Sequence, residues 1–499
     1  MNQPTDHGGT ISRISTRLAV LAAILLLWHG IDTGSLVPGD DAIYTRAAIE
    51  GARAGRLLDV TWMGDVLFEK GPLLFSAIQL GGLFPGPVEQ QARFPGVIAG
   101  VLLLMIIYRI SRDLGLSIWA AYASAAFCLA SNLFFFNARR PMTDVPGTLL
   151  ALAGLRAFMI SSTRRSMVVS GLLFGFSSLF KLTAPVPFMA AALILKAIGA
   201  GSDARPNARS LLIDLGLCGA GFLVAALPWH VAMTVVHGQA FLDTYFGFHL
   251  FSRLSRSVAG MDAGETYVGW LVRRDLPSLV ILLLTTPVVL MLAVRKRKTA
   301  MAALVLALLA AVPPALSSTA LPHYLVPIIP GAALMVGVGV DALLGLFQGR
   351  VAARATVIIA IFAALTGAFV FSNRQDLLRP DYSHDSRAMC DTMRRDGSAA
   401  RIAGTFDLHD TAIPLYCDME VEFWGHNQGY RDAMKDIPML RGTYRPFETR
   451  LLGVFADTGE ILVTDTQGMK ALSVLSNDEG LELVTRKFGD RLAVSFVRR

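Results

Sequence analysis

Charge is scarce in this sequence. Asp, Glu, Lys and Arg make up 17% of its 499 residues, against roughly 25% in ordinary soluble domains. With 53% hydrophobic residues and a mean hydropathy of +0.51, that shortage excludes a wholly soluble chain. Nucleotide motifs are missing too. There is no P-loop, no GxGxxG opening a helix after a strand, and no HExxH. A nucleotide-sugar or ATP site is therefore unsupported, and no nucleotide cofactor is expected. No basic stretch is interleaved with aromatics, so nucleic acid is not an expected partner despite a net charge of +7. No small-x-small cleavage site follows the first apolar run, Leu18 to Trp28, which is read as an uncleaved helix behind Arg13 and Arg17. Cysteines number four and form no motif. Cys128 and Cys218 lie in apolar runs, as small core residues do. Cys390 and Cys417 lie near the C-terminus, where pairing is left open.

What is present is a long series of apolar runs. A crossing needs roughly 17 to 25 such residues. Candidate spans are 15–31, 94–110, 117–136, 144–161, 166–181, 184–199, 210–232, 277–294, 299–317, 322–347 and 356–373, while 72–84 is only about half a span. The expected fold is a polytopic α-helical membrane protein of about eleven to thirteen transmembrane helices, followed by a small α/β domain. The predicted boundaries are 1–373 for the membrane domain and 374–499 for the soluble one.

Orientation follows from Lys and Arg in short loops. Arg13/Arg17, Arg109/Arg112, Arg164/Arg165, Lys196/Arg205/Arg209, Arg295 to Lys298 and Arg350/Arg354 fall on one side, which the rule makes cytoplasmic. Segments 32–93 and 233–276 and the C-terminal domain then fall outside, at the periplasmic face of a bacterial inner membrane. Lys70, Arg93, Arg139, Arg140, Arg253, Arg256, Arg273 and Arg274 run against that pattern. Long loops escape the rule, so each alone is read as a solvated charge. As a set beside acidic residues they suit an anionic ligand.

The outside segments carry the chemistry. Asp40 and Asp41 open a predicted short helix; one carboxylate suits capping, the other suits taking a proton from a hydroxyl. Glu69-Lys70-Gly71-Pro72 places an ion pair at headgroup level, where a snorkelling lysine is the structural alternative. Asp144 starts a helix, where its charge also meets the helix dipole favourably. His249 is a possible metal ligand, although an isolated histidine more often is not. His323 and Tyr324 open a further helix on the same side.

Taken in order, Asp40-Asp41-Ala42-x-Tyr44, Glu69-Lys70-Gly71-Pro72-Leu73, Arg93-Phe94-Pro95, Arg140-x-x-x-Asp144, Lys181, Leu227-Pro228-Trp229, His249-x-x-x-Arg253 and His323-Tyr324-x-x-Pro327 resemble the GT-C glycosyltransferases. The branch is similar to the lipid A aminoarabinose transferases and protein O-mannosyltransferases, and the resemblance covers about residues 15–345. It implies a GT-C architecture and a polyprenyl-phosphate-linked sugar donor. The implied acceptor is lipid A, another envelope glycolipid or glycan, or a protein. Asp40 matches the catalytic position and Asp144 the second acidic one. Lys70, Arg253 and Tyr324 match positions around the lipid phosphate. Glu69 and His249 match positions that hold a divalent metal. Asp41 and Gly71 depart from the usual Asp-Glu and Lys-Pro-Pro-Leu patterns. A transporter or flippase would instead put ionisable residues at the bilayer midplane and show internal repeats. A polysaccharide ligase would share a basic outside site without the Asp pair and Glu-Lys-x-Pro.

Overall fold

The structure is a computed structural model. It describes residues 7–161, 163–200, 207–252, 266–317, 321–377, 384–397, 402–405, 411–419, 421–425, 444–446 and 453–498. Helices dominate. In chain order they are α1 His7–Trp28, α2 Asp40–Arg53, α3 Pro72–Gly81, α4 Val88–Asp113, α5 Ile118–Ala130, α6 Asn132–Asn137, α7 Asp144–Ile160, α8 Arg164–Phe180, α9 Val186–Ala197, α10 Ala208–His237, α11 Gln239–Phe241, α12 Tyr267–Arg274, α13 Leu276–Val294, α14 Lys298–Leu316, α15 Ile329–Gly345, α16 Val351–Leu377, α17 His384–Arg395, α18 Ala412–Tyr416, α19 Gly453–Thr458 and α20 Thr466–Asp478. A π-helical stretch, Leu242–Ser252, follows α11, and a 3₁₀ stretch, Pro322–Ile328, precedes α15.

Among the described residues, six helical segments are long and apolar enough to cross a bilayer: Val88–Asp113, Ala208–His237, Leu276–Val294, Lys298–Leu316, Pro322–Gly345 and Val351–Leu377. Shorter apolar helices accompany them at Ile14–Trp28, Pro72–Gly81, Ile118–Ala130 and Val186–Ala197. The chain is a multi-pass membrane protein. Exposed leucines and valines on these helices, such as Leu223, Leu284 and Val294, are what a lipid-facing surface requires.

By internal contacts the chain forms two compact units. One comprises residues 1–31, 93–231 and 264–379; the other comprises 32–92, 232–263 and 380–499. The sequence predicts a break near residue 373 and assigns both long outside segments to the membrane domain. By internal contacts, residues 32–92 and 232–263 share a unit with residues 380–499. Within this second unit, Asp418 pairs with Arg46 and Arg53 of α2, and Tyr416 bonds to Glu89.

The first unit packs through a core of Leu27, Phe127, Phe134, Phe174, Phe188, Ala303 and Val336. Helices α8 and α10 meet at glycines. A Cβ on Gly171 would lie 1.9 Å from the Cys218 carbonyl oxygen, and one on Gly221 would lie 2.3 Å from that of Val168. Gly171 and Gly175 form the GxxxG spacing by which apolar helices bring backbones together.

The second unit holds a six-stranded sheet. Its strands are β3 Ile402–Thr405, β4 Glu422–Gly425, β5 Tyr444–Pro446, β6 Ile461–Thr464, β7 Leu481–Phe488 and β8 Arg491–Arg498, after the short ribbon β1 Thr61–Trp62 and β2 Asp65–Val66. The order is β5-β4-β3-β6-β8-β7. The first four are parallel, and β8 runs antiparallel to β6 and β7. Leu462 and Val463 are both fully buried, so β6 is covered on both faces, as parallel strands are. Phe455, Leu472, Leu481 and Phe496 complete this core. A small C-terminal α/β fold is what the sequence predicts.

Candidate functional site

In the second unit, α2 begins at Asp40 and is entered through Gly39 at φ 104°. Glycine occupies such a conformation without steric cost. Gly39 is the N-cap residue, and both carboxylates lie in the first turn, where the helix dipole stabilises negative charge. Burial separates the pair. Asp41 is 1% exposed, whereas Asp40 is half-buried.

One turn along α2 stands Tyr44, on the same face as Asp40 by the i, i+4 rule. Its hydroxyl donates to Glu69 Oε1 at 2.9 Å. The same oxygen accepts from Lys70 Nζ at 2.8 Å, and Nζ lies 5.7 Å from the Tyr44 ring centroid. Tyr44 and Glu69 are buried, so the lysine charge is held at a defined point. Phe68, next in the chain, packs edge-on against His237 and Phe241. That contact ties the Glu69-Lys70 loop to the stretch leading into the π-helix that carries His249. Arg253 lies outside the described residues.

The metal expectation for Glu69 and His249 finds little support in the donor set. Among the described residues, no three His, Cys, Asp or Glu side chains converge as a cation site. Oε1 of Glu69 already serves a phenol and an ammonium. A divalent cation there would have to compete with Lys70.

In the first unit, Asp144 is the first residue of α7 and is 2% exposed. Lys181, which ends α8, donates to its Oδ1 at 2.8 Å. The ammonium sits 4.5 Å from the Tyr324 ring centroid, a cation–π distance. So Asp144 and Tyr324 are brought together through Lys181. Lys70 and Tyr324, grouped as phosphate positions in the sequence, belong to different units.

Several residues escaped sequence reasoning. Asp275, 1% exposed, accepts from Ser131 Oγ at 2.6 Å and from the Leu133 amide at 3.4 Å; burial raises its carboxyl above the ordinary range, and the hydrogen bonds oppose that shift. Asp418 takes bidentate donation from Arg53 at 2.7 and 3.0 Å and a bond from Arg46 at 2.5 Å. The Arg53 hydrogen bond, above all, holds this carboxyl below the ordinary range. Tyr416 and Thr411 bond to the segment leading into α2. Their partners are more than 300 residues away in the chain, and no local pattern marks them. Cys390 and Cys417, left open above, are joined as a disulfide.

Comparison with known proteins bears on the fold. Residues 69–231 match the family described as dolichyl-phosphate-mannose-protein mannosyltransferase. Over 235 residues the chain is 23% identical to an uncharacterized protein of Aquifex aeolicus; the match covers 46% of this chain and 45% of that protein, so it spans about half the length of the curated relative. ArnT from Cupriavidus metallidurans, solved with undecaprenyl phosphate, superposes with a TM-score of 0.72 at 16% identity, covering 96% of this chain and 97% of that one. Its apo structure gives 0.71 at 16%, covering 97% and 98%. An oligosaccharyltransferase of Archaeoglobus fulgidus gives 0.50 at 11%, covering 96% of this chain and 73% of its own. The fold is that of the GT-C glycosyltransferases.

Proposed function

We propose that this protein is an inverting glycosyltransferase of the bacterial inner membrane. It moves a sugar from a polyprenyl-phosphate carrier to an envelope acceptor at the periplasmic face. The acceptor class is a glycolipid such as lipid A, another glycan, or a protein. The observation that carries this reading is the placement of Asp40, half-buried, one helical turn from the Tyr44–Glu69–Lys70 group. A reachable base and a fixed cation are what this transfer asks of a protein.

The donor's phosphate is already a good leaving group, so no general acid is required. As the bond between the sugar's anomeric carbon and the phosphate oxygen breaks, charge grows on the phosphate. A preorganised ammonium lowers that barrier; Lys70 serves here, with Arg253 as its second cation. The acceptor oxygen forms the new bond on the opposite face, and its proton passes to Asp40. Asp144 is already ion-paired with Lys181; it holds that lysine and the Tyr324 ring in place rather than acting as the base. The apolar helices give the carrier's prenyl tail a medium in which to lie. The disulfide supports an extracytoplasmic position for its unit, because such bonds persist in oxidising compartments.

Transfer is measured in proteoliposomes with a synthetic polyprenyl-phosphate sugar and isolated envelope acceptors. Asp40→Asn is expected to lose about 10²- to 10⁴-fold in kcat, with expression and melting temperature intact. Full activity in that variant sinks the assignment. The same assay with and without EDTA decides whether Glu69 and His249 carry a cation.

A further inference from the structure

We propose that the segment Thr411–Asp418 is a positioning clamp for α2, and so for Asp40; this rests on the reading of Asp40 as the base. α2 has 14 residues and a glycine, with no side chain to offer, at its N-cap, and isolated helices of that length are marginal in water. Its placement must come from tertiary contacts, and this segment supplies them at both ends.

At the entrance to α2, Thr411 bonds reciprocally with Gly39. The Gly39 amide donates to Thr411 Oγ1 at 2.6 Å, and the hydroxyl returns to the Gly39 carbonyl at 3.2 Å. Just upstream, the Leu36 amide donates to the Tyr416 oxygen at 2.8 Å, and that phenol donates to Glu89 at 3.0 Å. At the far end of α2, Asp418 receives Arg46 and Arg53. Arg46 is 6% exposed and also pairs with Glu50 at 2.7 Å, so Asp418 helps to balance a buried charge. Asp418 itself adopts φ 55°, a conformation that aspartate tolerates better than most residues. It turns the chain out of α18 with its carboxylate against α2.

A five-residue helix such as α18 does not hold its own shape. It is anchored to α17 in two ways. Cys417 is bonded to Cys390, and Arg394 donates to the Tyr416 carbonyl at 2.6 Å. Thr411, Tyr416 and Asp418 thus reach α2 and its lead-in from one tethered segment. They are positioning residues, because none of them needs to touch substrate. A displacement of about 1 Å at a reacting group can cost on the order of a hundredfold in rate.

The test pairs amide hydrogen exchange with kinetics on the full-length protein in nanodiscs. Thr411→Ala is expected to speed exchange of amides 40–44 by about tenfold. It should also lower kcat by about ten- to a hundredfold, with the donor KM within about twofold. Thr411→Ser keeps the hydroxyl and should restore both. Tyr416→Phe and reduction of the disulfide should move exchange in the same direction. Thr411→Ala and Tyr416→Phe carry the test: Tyr416→Phe removes only a hydroxyl, and the methyl that Thr411→Ala loses with its hydroxyl is lost in Thr411→Ser as well. Unchanged exchange at 40–44 in both variants overturns the clamp. Faster exchange with unchanged kcat leaves the clamp standing and overturns Asp40 as the base instead.

Discussion

Burial divides the acidic residues of this protein by what they can do. Asp40 is half-buried, which suits the base proposed for it; Asp41 is fully buried. Asp144 is buried against an ammonium. Asp275 is buried with neutral hydrogen-bond donors such as the Ser131 hydroxyl and the Leu133 amide around it, and its proton affinity rises because burial disfavours the charge. The sign of its pH effect follows. The folded protein holds the Asp275 proton more tightly than the unfolded chain, so this group's contribution is fully present below the ordinary value of 3.8. It falls as pH rises above that value towards the raised one. Asp275→Asn keeps an acceptor for Ser131 and never carries the charge. Its melting temperature relative to wild type should be higher at pH 7 than at pH 4, measured by differential scanning fluorimetry. A difference that does not change with pH refutes the buried-charge account.

Among the helices, α8 and α10 depend most visibly on single positions. The Gly171–Cys218 and Gly221–Val168 approaches leave no room for a Cβ. In lipid, where the hydrophobic effect does not draw helices together, this closeness is itself the source of attraction. Gly171→Leu must push α10 away. Overpacking costs about 1–3 kcal/mol in ordinary cores, and the clash here is with backbone, which cannot rotate aside. The expected outcome is a loss of monodisperse protein in fluorescence-detected size exclusion. Leu→Gly exchange at Leu172 does not rescue it. Gly216→Leu, at a position with open space, should behave as wild type.

At the scale of the whole chain, the two units differ in what holds them. The first relies on apolar packing, glycine contacts and buried pairs such as Asp144–Lys181; the second has a disulfide, a mixed sheet and its own buried pair, Arg46–Glu50. The proposed orientation places residues 374–499 in the periplasm. Alkaline phosphatase fused behind that segment should be active, and green fluorescent protein fused there should be dark. The reverse pattern would reverse the orientation and with it the face of the reaction.

Hydropathy alone determined that this chain crosses a membrane many times, because long apolar runs have no other stable surroundings. Periodicity and strand propensity marked an α/β segment at the C-terminus, and the Asp40, Glu69-Lys70 and Asp144 motifs were visible as charged residues at helix starts. Tertiary structure decided how those motifs are used. It joined Glu69 to Tyr44 and Lys70, gave Asp144 to Lys181 and Tyr324, and grouped residues 32–92 and 232–263 with residues 380–499. The physical reason is range. Hydropathy and capping act within a few turns of chain, and a composition average detects them. An ion pair such as Arg46–Asp418 or a bond such as Gly39–Thr411 spans 372 residues, and nothing local in either segment names its partner.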